Sequence, residues 1–152
     1  MKIFTKATKA TKVMVIALLA VLTVGITVEA SVWQNGTNVQ FSKHAIDSNT
    51  YKPVVDGYKS KAGSIQDVLV TTMYDDDGAK QDNWKYSIWR VRRKSGSTWV
   101  NIANDVKVQK GYYTQISLDT RVTSADMIRV AAHGNNSSYD AQISGYIYDF
   151  IK

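Results

Sequence analysis

After residue 30 the chain is rich in side chains that favour strands and almost without those that favour helices. Residues 31–152 contain 12 valines, 9 isoleucines and 9 tyrosines, against 2 leucines and no glutamate. β-Branched and aromatic side chains fit a pleated, half-buried surface, whereas leucine and glutamate favour helices. No segment of this part shows a sustained apolar repeat of 3.6 residues. The composition therefore predicts an all-β fold.

Glycines and alternating stretches divide residues 31–152 into about eight strands. Short strands at this spacing are typical of one antiparallel β-sandwich or jelly-roll domain rather than a closed barrel. Pro53, the only proline, is expected just before a strand, where its missing N–H costs least. The expected strands are Val32–Phe41, Val54–Lys59, Gln66–Tyr74, Trp84–Arg93, Trp99–Ala103, Tyr112–Leu118, Met127–His133 and Ala141–Phe150, with a short additional one at Val106–Val108.

The first thirty residues have the pattern of a secretory signal peptide. Four lysines precede residues 13–24, an apolar run broken only by Thr23, and Val28 and Ala30 occupy the small-residue positions that signal peptidase reads. A membrane anchor is the alternative, but an apolar core of about 12–16 residues is shorter than the ~20 that a spanning helix needs. We therefore expect cleavage after Ala30 and secretion of residues 31–152.

Most of the excess positive charge lies in this leader. It holds four of the 19 basic residues and the only glutamate, Glu29, which leaves 15 basic against 12 acidic residues, a net +3, in residues 31–152. Nucleic-acid binding usually needs a clustered basic face, so no nucleic-acid partner is expected. The chain has no cysteine, so an exported domain would depend on its hydrophobic core alone, which about 120 residues can supply. Cysteine-free export behind a lysine-rich leader suggests a Gram-positive bacterium.

Residues 83–102 (NWKYSIWRVRRKSGSTWVNI) hold three of the four tryptophans and three of the five arginines. They predict a hairpin whose two-residue turn is Ser95-Gly96. This register keeps the apolar residues opposite one another, which a slip of one residue would not. It pairs Arg92 with Trp99, Val91 with Val100, Arg90 with Asn101, and Trp89 with Ile102.

Alternation along this hairpin separates a core face from a surface patch. Trp89, Val91, Val100 and Ile102 should face the core. The outward face should hold Arg90, Arg92, Trp99 and Asn101, with the Arg92 guanidinium over the Trp99 indole in a cation–π contact. We predict that these four residues bind a ligand such as a sugar ring or an anionic polymer. The alternative is that Trp99 covers the sheet beside a neighbouring loop and binds nothing.

The apolar face changes along the first strand of this hairpin. Trp84, Tyr86 and Ile88 occupy even positions, whereas Trp89 and Val91 occupy odd ones. Either the strand is covered on both sides near Ile88, or a bulge turns it over.

Tyrosines place aromatic side chains on both faces of two other strands. Tyr112 and Tyr113 are adjacent, and Tyr146 and Tyr148 flank Ile147. Exposed aromatic rings beside amides suit carbohydrate, although membrane interfaces and protein partners use similar surfaces. The alternative is a tyrosine-rich sheet surface without a ligand.

No catalytic or metal-binding motif is present. His44 and His133 have no partner at metal-ligand spacing, and no GxSxG motif occurs. We therefore expect no enzyme activity, no cofactor and no metal. Asp75, Asp76 and Asp77 could offer oxygen ligands to calcium, but the spacing fails the EF-hand pattern and favours a solvated hairpin loop.

These observations favour a secreted, noncatalytic binding protein whose partner is a cell-wall or other extracellular polysaccharide. A membrane-active protein, similar in role to a bacteriocin or toxin, is the main alternative, and an enzyme that uses aspartates is the third hypothesis. The absence of a long amphipathic helix from the sequence favours binding. The oligomeric state is not predicted.

We expect the exported protein to begin at Ser31, because the apolar run and the small-residue positions end together there. Intact mass and N-terminal sequencing of the culture supernatant check this. An exported form that retains Lys2 to Lys12 would contradict it.

Overall fold

A computed structural model describes residues 31–75, 86–135 and 141–152, and over these residues the protein is all-β. The described residues contain no helix long and apolar enough to cross a membrane. The strands are β1 (Ser31–Asn35), β2 (Asn38–Ile46), β3 (Lys52–Lys59), β4 (Gly63–Asp75), β5 (Tyr86–Ser95), β6 (Thr98–Asn101), β7 (Val106–Gln109), β8 (Tyr113–Val122), β9 (Met127–His133), β10 (Ala141–Ile147) and β11 (Phe150–Ile151).

These strands form two antiparallel sheets. Sheet A has the order β1-β2-β10-β4-β8, and sheet B has the order β11-β3-β9-β5-β6, with β7 also paired to β5. The chain passes repeatedly from one sheet to the other, since β2, β4, β8 and β10 lie in sheet A and β3, β5, β7 and β9 lie in sheet B. Neighbouring strands are therefore mostly distant in sequence.

One hydrophobic core lies between the two sheets. Trp89 of sheet B is fully buried, and its indole N–H donates to Ser87 Oγ at 2.7 Å. Its ring centroid lies 5.8 Å from that of Phe41 in sheet A. Val91 and Ile102 are also buried, as predicted. The core therefore joins the sheets through an aromatic contact whose polar N–H already has a partner.

The change of apolar face in β5 arises without a bulge. The pairing of β5 with β7 and with β9 is continuous, and Ser87 points inward next to Trp89. Tyr86 and Ile88 are half-buried on the opposite face. The strand is therefore covered on both sides near Ile88, the first of the two predicted alternatives. Trp84 lies outside the described residues.

Two predicted boundaries were wrong. The segment predicted as one strand, Val32–Phe41, is a hairpin, because Gly36 has φ +62° and Asn35 pairs with Asn38 across the turn. Pro53 lies inside β3 rather than before it. It lies where the pairing with β9 shifts between Pro53 and Val55, an irregularity that tolerates a missing N–H.

The predicted turn of the β5–β6 hairpin was also wrong by one residue. The turn is Gly96-Ser97, so Arg92 pairs with Asn101, Arg93 with Val100 and Lys94 with Trp99. Gly96 has φ +58° and occupies the first central position, which suits a type II′ turn. Each side chain stays on its predicted face, because moving the turn by one residue shifts each cross-strand pairing by two residues, and residues two apart in a strand share a face.

Val100 was wrongly predicted to be core, and it is 49% exposed. In the observed register it lies opposite Arg93 near the tip of the hairpin rather than opposite Val91. Val100 therefore lacks the buried cross-strand neighbour that the predicted register gave it.

The two tryptophans of this hairpin should differ in their contribution to stability. Trp89→Ala should lower the free energy of unfolding by about 3–5 kcal/mol, because it empties a buried aromatic site. Trp99→Ala removes a half-buried indole and a surface cation–π contact, and should cost about 1 kcal/mol. Urea unfolding of both variants measures the difference. Equal losses would contradict the assignment of faces.

Candidate functional site

The outer face of sheet B brings the four predicted residues together. Arg90 and Arg92 lie on β5, and Trp99 and Asn101 lie on β6. Arg92 is directly opposite Asn101, and its Nε donates to Asn101 Oδ1 at 3.0 Å. The structure therefore places the set on one face, as alternation predicts, but does not test whether it binds a ligand.

Arg129, rather than Arg92, covers the Trp99 indole. The Arg129 guanidinium carbon lies 4.2 Å from the ring centroid. Arg129 lies on β9, directly opposite Arg92 of β5, so the Arg129 guanidinium and the Trp99 indole meet across β5. The predicted contact between Arg92 and Trp99 was wrong because the actual turn places Trp99 opposite Lys94.

Four cross-strand partners form a line across this face, which we call the arginine row: Asp56, Arg129, Arg92 and Asn101. Arg129 donates from Nε and Nη2 to the two oxygens of Asp56, at 2.7 and 2.6 Å. This bidentate geometry holds the Arg129 guanidinium plane in position.

Arg90 makes a second bidentate pair beside the arginine row. Its Nε and Nη2 donate to the two carboxylate oxygens of Asp105, at 2.7 and 2.8 Å. These bonds hold the pKa of Asp105 below its ordinary value. The guanidinium also lies over the Tyr51 ring at 4.1 Å, and Arg92 lies 5.8 Å from the same ring. His133 meets Tyr51 edge to face at 4.5 Å.

Sequence analysis missed the other participants on this face. Alternation within Met127–His133 assigns Arg129 to the outward face, but it cannot show that β9 lies beside β5. Tyr51 and Asp105 lie outside strands and have no periodic signal. Only the folded chain brings them to Arg90.

The outer face of sheet A carries a second candidate surface. Direct cross-strand pairs align Trp33 with Gln40, Gln40 with Tyr146, Tyr146 with Leu69, and Leu69 with Tyr113. Since directly paired residues share a face, this line crosses all five strands, a span of about 19 Å. We call its aromatic side chains, together with Tyr148, the aromatic row: Trp33, Tyr146, Tyr148 and Tyr113.

Three rings of the aromatic row contact one another. The Tyr146 and Tyr148 centroids are 6.1 Å apart, and those of Tyr148 and Tyr113 are 5.3 Å apart. Trp33 and Tyr113, at opposite ends, are 40% and 54% exposed. The tyrosines therefore support each other while the two ends remain open to solvent.

Gly145 places Tyr146 in this line. A Cβ at Gly145 would lie 1.9 Å from the Leu69 carbonyl oxygen and 2.9 Å from the Phe41 ring. The pairing of β10 with both neighbours shifts immediately before this glycine. The close approach thus sets the register that puts Tyr146 between Gln40 and Leu69.

Polar groups border the aromatic row. The side-chain amides of Gln40 and Gln115 have no hydrogen-bond partner within residues 31–75, 86–135 and 141–152. Asp67 lies directly opposite Gln115. The pKa of Tyr113 is raised, first by burial and second by a hydrogen bond with Asp67. Hydroxyl-rich ligands would find acceptors and donors here.

A hollow of about 280 Å³ adjoins this edge of sheet A. Asp67, Gln115 and Asp149 line it together with Lys59. Burial lowers the pKa of Lys59, an effect that Asp149 and Asp67 partly offset. The hollow places two carboxylates and a buried amine next to the aromatic row.

The two histidines lie in different sheets. His44 is in β2, where burial lowers its pKa, and His133 ends β9. Among the described residues, no three side chains of histidine, cysteine, aspartate or glutamate are grouped to hold a metal ion. Asp75 ends β4, whereas Asp76 and Asp77, like the rest of the predicted loop up to Asn83, lie outside the described residues, so the calcium alternative stays a prediction.

Comparison with protein-family models, with curated proteins and with solved structures found no match to this chain.

Arg90 should control the ionisation of Asp105. In Arg90→Gln the pKa of Asp105 should rise, because the hydrogen bonds that favour its charged form are lost. Arg92→Gln is the matched control and should leave it unchanged, since Arg92 does not bond Asp105. Carboxyl ¹³C NMR titration measures both. An equal rise in the two variants would mean that diffuse positive charge, not the bidentate pair, sets the pKa.

Proposed function

We propose that the protein is a secreted, noncatalytic binding protein that recognises a neutral polysaccharide chain through the aromatic row. The main support for this proposal is the alignment of Trp33, Tyr146 and Tyr113 in a line that crosses all five strands of sheet A. Sugar rings present apolar C–H faces that pack on aromatic rings, while their hydroxyl groups need donors and acceptors at the sides. The amides of Gln40 and Gln115 are suitably placed for that second task.

The length of the row favours a polymer over a small ligand. A line of about 19 Å exceeds one sugar ring, and the exposed ends at Trp33 and Tyr113 leave room for the chain to continue. Repeated weak contacts along one polymer add up, because each further contact is intramolecular.

Sheet A fits a neutral ligand better than sheet B does. On sheet B the guanidinium groups of Arg90 and Arg129 already pair with Asp105 and Asp56, and Arg129 covers one face of Trp99. The aromatic row contains no charged side chain, so a neutral chain would displace water without breaking ion pairs.

We further propose that the domain is a jelly-roll sandwich. When β2, β3, β4, β5, β7, β8, β9 and β10 are numbered one to eight, sheet A reads 1-8-3-6 and sheet B reads 2-7-4-5. That order supports the eight-strand jelly roll. Such folds serve many functions, so the surface rather than the fold carries the functional argument. Secretion rests on the leader sequence described above.

A pull-down on insoluble cellulose, chitin, xylan and β-1,3-glucan tests the function. We expect retention on at least one of them. Trp33→Ala and Tyr113→Ala should each weaken retention about tenfold, as loss of one stacking contact implies.

Each variant has a matched control. Trp99→Ala removes an indole from sheet B, and Tyr112→Ala removes a 65% exposed ring next to Tyr113 but outside the row. Both should bind like the wild type. The proposal would be contradicted if the protein were retained on none of the four polymers, or if the aromatic-row variants and the control variants were retained equally. Leakage from phosphatidylglycerol liposomes at the same protein concentration would favour the membrane-active alternative.

A further inference from the structure

The arginine row on sheet B leaves one charge without a counter-ion. Arg129 pairs with Asp56, and its neighbour Arg90 pairs with Asp105. Arg92 lies directly opposite Arg129 and two residues from Arg90 on β5, and within the described residues no carboxylate comes within ion-pair distance of it. The outer face therefore carries a net positive charge, to which Arg92 contributes together with Lys94 and Lys107, neither of which has an ion pair among the described residues.

Arg92 lies next to other positively charged groups. It lies directly opposite Arg129, and like charges opposite one another on a sheet repel. Lys94, two residues along β5 on the same face, adds a further positive charge. A bound anion would relieve this repulsion.

The guanidinium is also held in place. Its Nε donates to Asn101 Oδ1, which leaves both Nη groups for another acceptor. Its guanidinium carbon lies 5.8 Å from the Tyr51 ring centroid. Because guanidinium is planar, two Nη hydrogens can meet the two oxygens of one carboxylate in parallel.

Trp99 adds a flat apolar surface to this group. Trp99 lies on β6, the strand next to that of Arg92, and the Arg129 guanidinium carbon lies 4.2 Å from the centroid of its indole ring. A carboxylate on Arg92 and a sugar ring against the part of the Trp99 indole that Arg129 does not cover correspond to the two parts of a uronic acid. We infer that Arg92, Asn101 and Trp99 form a site for the uronate units of an acidic polysaccharide. This site is independent of the aromatic row and lies on the other sheet.

Nucleic acid fits this face less well than an acidic sugar. Binding to a phosphate backbone needs a long series of unpaired cations, whereas two of the three arginines here are neutralised by aspartates, which leaves only Arg92, Lys94 and Lys107 on this face of the described residues. A single free guanidinium beside an aromatic ring suits one carboxylate and its ring.

The probes for this site are tetragalacturonate and its fully methyl-esterified form, which is matched in size but uncharged. Isothermal titration calorimetry should show binding of the acid and at least about tenfold weaker binding of the ester, because the charge-assisted hydrogen bonds are lost. Arg92→Gln should weaken binding of the acid by a similar factor. Trp99→Ala should also weaken it.

Arg121→Gln is the matched control. Arg121 is an exposed arginine on β8 of sheet A, so this variant loses the same charge from the opposite sheet. It should bind tetragalacturonate like the wild type, and melting temperatures show whether all variants are folded.

Three results would overturn the inference. They are the absence of binding to the acid, an equal loss in Arg92→Gln and Arg121→Gln, and tighter binding to a DNA duplex or to phosphatidylglycerol vesicles than to tetragalacturonate. This test is independent of the test of the aromatic row, because that test uses neutral polymers and variants of Trp33 and Tyr113.

Discussion

The contact between Trp89 and Phe41 joins the two sheets, and both outer surfaces depend on it. Each ring comes from a different sheet, both are buried, and the indole N–H is satisfied within its own strand by Ser87. With no cysteine in the chain, no disulfide can replace this core. Packing of these inward residues sets which side chains of each strand are left to face solvent.

The two outer faces have different chemistry because they are built differently. On sheet A, an uncharged line of aromatic, amide and aliphatic side chains crosses the five strands. On the outer face of sheet B, aspartates pair with two of the three arginines, Arg90 and Arg129, whereas Arg92 has no such partner among the described residues. One small domain thus offers a surface suited to a neutral polymer and another suited to an acidic one.

Backbone geometry at a few glycines sets the alignment of these surfaces. Gly145 permits the close approach of β10 to Leu69 and Phe41, and so positions Tyr146. Gly96 takes the first position of its turn, which moves Trp99 away from Arg92 and towards Arg129. The prediction centred on Ser95-Gly96 placed the residues on the correct faces but gave them wrong partners. The face on which a side chain lies depends only on whether its position in the strand is odd or even, whereas its cross-strand partner depends on the conformation of the turn.

The sequence by itself determined the all-β class, the burial of Trp89, Val91 and Ile102, and the outward placement of Arg90, Arg92, Trp99 and Asn101. These follow from composition and from the two-residue period of a strand, which are local properties. Only the tertiary structure decided that β9 lies beside β5, that Tyr51 and Asp105 meet Arg90, and that Trp33, Tyr146 and Tyr113 fall in one line. Those contacts join strands distant along the chain, and their register depends on bulges and turns that alternation does not encode.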